Sequence, residues 1–138
     1  MPEHSSFDYA IIRVVPRVER EEFVNVGAIV FCRERAYLGA RIELIPARLL
    51  ALWPDADLAE IQEHLDVIPR VCEGGAEAGP IGELSQAERF HWLVAPRSTV
   101  VQTSPVHSGL CTDPDSLLDH LIATMVRVSA LSGDTPLS

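Results

Sequence analysis

Arg13, Glu22, Asn25 and Gly27 gather a cation, an acid, an amide and a bare backbone position in one stretch of chain, DYAIIRVVPRVEREEFVNVGAIVF. The segments around them, FDYAIIRVV (7–15) and VNVGAIVFC (24–32), are rich in aromatic and β-branched residues and read as buried strands. An arginine on such a strand keeps its charge and needs an acceptor, and its planar fork suits carboxylates and phosphates. An asparagine amide is costly to bury without partners. Glycine inside a strand marks a bulge or a close approach by another group. If the two strands pair antiparallel so that Arg13 faces Asn25, Glu22 lies just beyond them at the strand entrance. The three side chains are therefore expected in one connected polar network, with Gly27 left bare for a chain segment or a ligand. Two roles stay open for that network. It is either an internal ion pair holding the connecting loop onto the sheet, or a binding site with Arg13 and Arg97 as anion anchors.

The other candidates are thinner. His4, His64, His91, His107 and His120 show no HxH or HExxH spacing, so no metal site is expected. His64 and His120 fall on helical segments among acids and read as solvated; His91, between Phe90 and Trp92, reads as a half-buried packing residue. His107 and Cys111 share a face if that segment is extended, but a nucleophilic cysteine also needs a base and an oxyanion site, and nothing marks either. The patterns GxxxxGKS/T, GxGxxG and GxSxG are absent, so no cofactor and no catalytic residue is assigned.

Composition narrows the class. A chain of 138 residues, 47% hydrophobic and 22% charged, suits one folded domain with a real core. The expected division is a single domain over 1–128 and a flexible tail over 129–138. No apolar run is long enough to span a bilayer, and the opening MPEHSSFDY is polar and acidic, so neither a membrane anchor nor an export signal is expected. Cys32, Cys72 and Cys111 are odd in number and widely spaced, which fits a reducing cytoplasm better than a disulfide framework. A net charge of −9 disfavours general nucleic-acid binding. All eleven Lys and Arg residues are arginine, seven of them between Arg13 and Arg48, which is either compositional bias or an anion or acidic-partner surface.

The periodicities then place the elements. Strands are expected over 7–15, 24–32 and 36–43, the last two joined by the short turn Arg33-Glu34-Arg35, giving a three-stranded meander. Pro46 suits the first turn of a helix that Pro54 stops. Asp57 with Glu60 resembles a capping pair ahead of Leu58, Ile61, Leu65 and Ile68, and Pro69 is expected to bound that helix. EGGAEAGPIG reads as a flexible exposed loop, and Ser85 with Glu88 as a second capping box. STVVQTSPVHSGLC reads as a hairpin turning near Ser104-Pro105. Asp113 then caps a last helix whose apolar stripe is Leu117, Leu118, Leu121, Ile122, Met125 and Val126. The expected class is α+β, a mainly antiparallel sheet covered on one face by helices. Ile11, Ile29, Phe31, Leu65, Leu118, Leu121 and Ile122 should form its core.

The same residues carry a family likeness. Tyr9, Arg13, Pro16, Glu22, Phe23, Asn25, Val26 and Gly27, then Pro96-Arg97-Ser98, then Asp113-Pro114 resemble the bacterial DUF3037 family over about residues 7–127. Val14 departs from the aromatic residue the pattern carries at that position. The resemblance implies no established reaction; it implies a small bacterial protein whose gene often lies beside one for a HipA-like protein kinase. The expected function is therefore a cytoplasmic protein-binding or regulatory partner, possible partner a HipA-like kinase, leaning away from an enzyme. The alternative is a small-ligand or anion binder, or an enzyme, using Arg13, Glu22, Asn25 and Arg97.

Overall fold

The computed structural model describes residues 4–97 and 99–127 and is built on a five-stranded antiparallel sheet. Strands β1 (Ser5–Val14), β2 (Val24–Cys32) and β3 (Tyr37–Ile42) form the expected meander. The β2–β3 connection is one 3-10 turn, Arg33–Arg35, closed by Ala36 at φ 50°. On the other side of β1 lie β4 (Val101–Thr103) and β5 (His107–Cys111), and here the expected hairpin does not form. Both pair antiparallel with β1, β4 along Ile12–Val14 and β5 along Ser5–Tyr9, so they run end to end as one interrupted edge. Ser104 explains it. Its N–H donates to Ile11 O at 2.8 Å and its Oγ accepts from Ile11 N–H at 2.9 Å, so the ladder on β1 continues through the break. Pro105 has no N–H to give, and the strand steps around it without reversing.

Helices cover both faces of the sheet rather than one. Helices α1 (Pro46–Leu52), α2 (Leu58–Glu73) and α3 (Gln86–Val94) pack on Ile12, Val14, Ile29 and Phe31. Helix α4 (Pro114–Leu121), continued by a π turn over Ile122–Val126, packs on Phe7, Ile11, Ala28, Val30 and Cys32. Strands β1 and β2 are apolar on both sides, and strands of that kind need cover on both. All seven expected core residues are buried, none more than 6% exposed.

The helix ends follow local chemistry. Asp57 accepts from Glu60 N–H at the start of α2, and Ser85 and Glu88 make a reciprocal capping box at the start of α3. Pro69 lies inside α2, which runs on to Glu73. The proline forfeits the amide bond to Leu65 O. Val71 and Cys72 beyond it are buried in the core, and that packing keeps the last turn wound. The glycine-rich segment is wound into 3-10 turns over Ala76–Glu83, with Gly75 N–H bonded to Gly82 O at 3.0 Å. Gly82 is required there, because a Cβ would stand 2.0 Å from Gly75 O. In the π turn the residues per turn increase, so Val126 follows Ile122 into the core while Met125 is 42% exposed. The expected tail over 129–138 lies outside the described residues.

Candidate functional site

A β-bulge organises the first cluster. Ile12 pairs with Gly27, but the next pair is Arg13 with Asn25, so Val26 is the extra residue on β2. The bulge reverses which side chains face which layer. Val24 and Val26 face α1–α3, whereas Ala28, Val30 and Cys32, of the same parity, face α4. Asn25 is thereby aimed at the end of α4, where its Nδ2 donates to Met125 O at 3.0 Å. Arg48 donates to the neighbouring carbonyl of Val126, and Arg127 forms a two-pronged ion pair with Glu43 at 2.8 and 2.9 Å. These contacts pin the π turn to the sheet.

Arg13 faces Asn25, as the pairing argument expects, but Glu22 does not join them. Glu22 bonds Arg20 at 2.7 Å, two residues back along the chain, and lines a polar depression with Arg17 and Asp55. The correction has a simple cause: an arginine within the same turn reaches Glu22 at far smaller entropic cost than one across the sheet. Arg13 instead lays its guanidinium over the Phe23 ring, 3.9 Å from the centroid. Its Nε and the Oδ1 of Asn25 are both buried without a hydrogen-bond partner. Burial pulls the Arg13 pKa down from its ordinary value. Gly27 answers to a chain segment. A Cβ there would stand 2.5 Å from Arg41 O and 3.2 Å from Ile42 Cα, so β3 can approach only a glycine.

Arg97 is not near this cluster. Arg13 alternates with Ile12 and Val14 and so shares the α4 face, whereas Arg97 lines a groove on the α2–α3 face. Its guanidinium stacks on Trp92, 4.5 Å from the ring, and donates to Leu93 O at 2.9 Å and to Trp92 O. It caps the end of α3.

The groove beside Arg97 is the feature the sequence reading missed. Two adjoining depressions of about 300 and 240 Å³ share His64, Thr99 and Val101. Trp53, Asp57, Glu60, Ile61 and Val100 complete the first; Val67, Ile68, Trp92, Leu93 and Arg97 complete the second. The available signal was Val67, an apolar residue beside the stripe Ile61, Leu65, Ile68; it is 39% exposed. Trp92 at the other wall is 37% exposed.

The remaining titratable groups are accounted for by local structure. His91 is exposed, not half-buried, with its ring 6.2 Å from Phe90. His107 is exposed against Tyr9, while Cys111, on the same strand, is buried, and burial pushes its thiol up, away from a reactive thiolate. Cys72, buried among apolar residues, is pushed up to about 12. Tyr37 donates to Asp115 at 2.6 Å, and burial, then that bond, raises its pKa. No group of three or more His, Cys, Asp or Glu suited to a metal ion occurs among the described residues. No helix among them is long and apolar enough to cross a membrane.

No curated protein and no solved structure matches this chain. A family model described as a protein of unknown function, DUF3037, matches residues 9–126, a span holding Arg13, Asn25, Gly27 and both walls of the groove. The chain belongs to the DUF3037 family.

Proposed function

We propose that this chain is a protein-binding or regulatory partner acting in the bacterial cytoplasm, with a HipA-like kinase as the partner class that the family resemblance implies. The observation that carries the reading is the Trp53–Trp92 groove: two adjoining apolar depressions, open along their length, with a tryptophan at each end. Tryptophans at such positions are the usual anchors of protein contacts. Three unpaired, buried cysteines are consistent with a reducing compartment. The test is calorimetric titration of the purified chain with a HipA-like kinase from the same organism, repeated with Val67→Asp. Binding that Val67→Asp removes, with unchanged thermal unfolding, supports the reading. No binding, or binding indifferent to Val67→Asp, counts against it.

Arg13 and Asn25 support a second reading, as a contact for a polar group of a partner or small ligand. An orphaned donor and an orphaned acceptor sit on paired strand positions, both atoms buried beside Phe23, which is 44% exposed and would have to move for a ligand to reach them. A group offering a carbonyl and an N–H together, such as an amide, complements that pair. Arg13→Met that weakens kinase binding while leaving unfolding unchanged would favour this reading over the groove.

A further inference from the structure

We propose that the Trp53–Trp92 groove takes an amphipathic helix of the partner, basic at its Trp53 end, seating two apolar side chains one heptad apart. The inference rests on the protein-binding reading and names the kind of segment bound. Spacing is the first argument. The two depressions lie over Ile61 and Ile68 of α2. Those residues are separated by seven helical rises, roughly 10 Å. A helix lying along α2 presents residues i and i+7 at that interval.

An extended occupant is the main rival, because Thr99–Val101 forms one wall and leads into edge strand β4. A strand adding there would need free carbonyls along that wall. Val101 O already accepts from Thr99 Oγ1 at 2.7 Å, and Thr99 O accepts from Gln102 Nε2 at 2.8 Å. The segment's own side chains compete for two of the acceptors that strand addition would use.

Charge sets the composition. Asp57, which also caps α2, and Glu60, whose carboxylate lies 3.9 Å from His64 Nε2, line the Trp53 end, and the Glu60 side chain is 65% exposed. Arg97 at the opposite end is committed to the carbonyls of α3 and to Trp92. With a chain charge of −9, a cationic occupant is attracted both locally and at long range. A second copy of this chain would bring acid against acid.

The chain has two tryptophans and both line the groove, so intrinsic emission reports on this surface. The probe is a tryptophan-free synthetic helical peptide with two leucines seven positions apart and arginines around the first. A saturable emission change is expected. Replacing the arginines by glutamates should weaken binding at least tenfold, and a central proline should abolish it. Val67→Asp should abolish binding with unfolding unchanged, and Glu60→Gln should weaken it about two- to fivefold, the scale of one exposed charge contact. No response to the basic helical peptide overturns the inference. So does equal binding of the proline-broken peptide, which would mean an extended occupant. Equal binding of the acidic peptide overturns the charge assignment, and concentration-dependent dimerisation through Val67 would assign the groove to a second copy. Kinase binding lost in Val67→Asp, without any peptide response, would sink the helix and leave the protein-binding reading standing.

Discussion

The end of α2 and the sheet face beside the end of α4 each hold an arginine with no carboxylate on it, Arg89 buried and Arg13 half-buried, and they satisfy it differently. At the end of α2, Arg89 is 8% exposed and donates to three carbonyls: Val71 and Cys72 at 2.9 Å and Leu84 at 3.1 Å. Val71 and Cys72 belong to the last turn of the helix, where the macrodipole is negative, so the charge is stabilised without a counter-ion. Gly74 makes room, since a Cβ there would stand 2.4 Å from Arg89 Nη1. At the end of α4 the equivalent carbonyls, Met125 and Val126, are taken by Asn25 and Arg48. Arg13 is left with an aromatic face and a buried Nε that bonds nothing. A guanidinium holding three carbonyls is a cap. One with a donor to spare is available for other uses.

The comparison breaks most visibly at Arg89. Arg89→Met strips two buried carbonyls and one part-buried carbonyl of their donor at once and should cost about 3 kcal/mol in urea denaturation. A cost below about 1 kcal/mol would mean those carbonyls find water, and the contrast with Arg13 would collapse. Gly27→Ala comes next. The added methyl has to push β3 away from the bulge that aims Asn25, for an expected loss of about 1–3 kcal/mol. An unchanged denaturation midpoint would show that β3 yields freely and that the bulge does not depend on a bare Gly27.

Much of this framework was legible in the sequence, and, apart from Glu22, which Arg20 two residues away captures, the exceptions share a cause. Strand positions, the Asp57 and Ser85 caps and Pro46 at a helix start are local decisions, and each is in place. The Arg13–Asn25 pairing was also legible, because two apolar strands and one connecting loop leave few registers. What local rules missed is decided by distant residues. Pro69 stays helical because Val71 and Cys72 are packed in the core and Arg89 bonds their carbonyls. Ser104-Pro105 does not turn because Ile11 offers both a donor and an acceptor there. The groove depends on bringing residues 53–68, 92–97 and 99–101 together, and no single segment announces it.

The pinning of the π turn offers a smaller test. Arg127 holds the Glu43 carboxyl below its usual range, chiefly by hydrogen bonding. A depressed folded-state pKa gives stability that is present above the unfolded carboxylate value and lost as pH falls through the folded one. Unfolding free energy should therefore fall less steeply with acid in Glu43→Gln than in the parent. The difference should be small, because both side chains stay partly exposed and the pair is screened. Identical acid profiles would show that this ion pair does not help to hold the turn.

The finest test separates Arg13 from Glu22. Had they formed a buried pair, deleting either partner would strand the other charge, and the double variant would recover much of the loss. The geometry sets the opposite expectation: Glu22 is bonded to Arg20 in a solvent-exposed turn, and Arg13 rests on Phe23. Arg13→Met removes an orphaned donor while keeping an apolar stem against the ring, so its effect should lie within about 1 kcal/mol of zero. Glu22→Gln should be similarly mild. Their coupling in a double-mutant cycle should stay below about 0.5 kcal/mol, the scatter expected for independent sites. Coupling of about 1 kcal/mol or more would return Glu22 to the Arg13 network in solution. A costly Arg13→Met with no coupling to Glu22 would mean that the contact with Phe23 carries structural weight. In that case Arg13 joins Arg89 as a cap, and the contrast between the two ends of the molecule narrows to their partners.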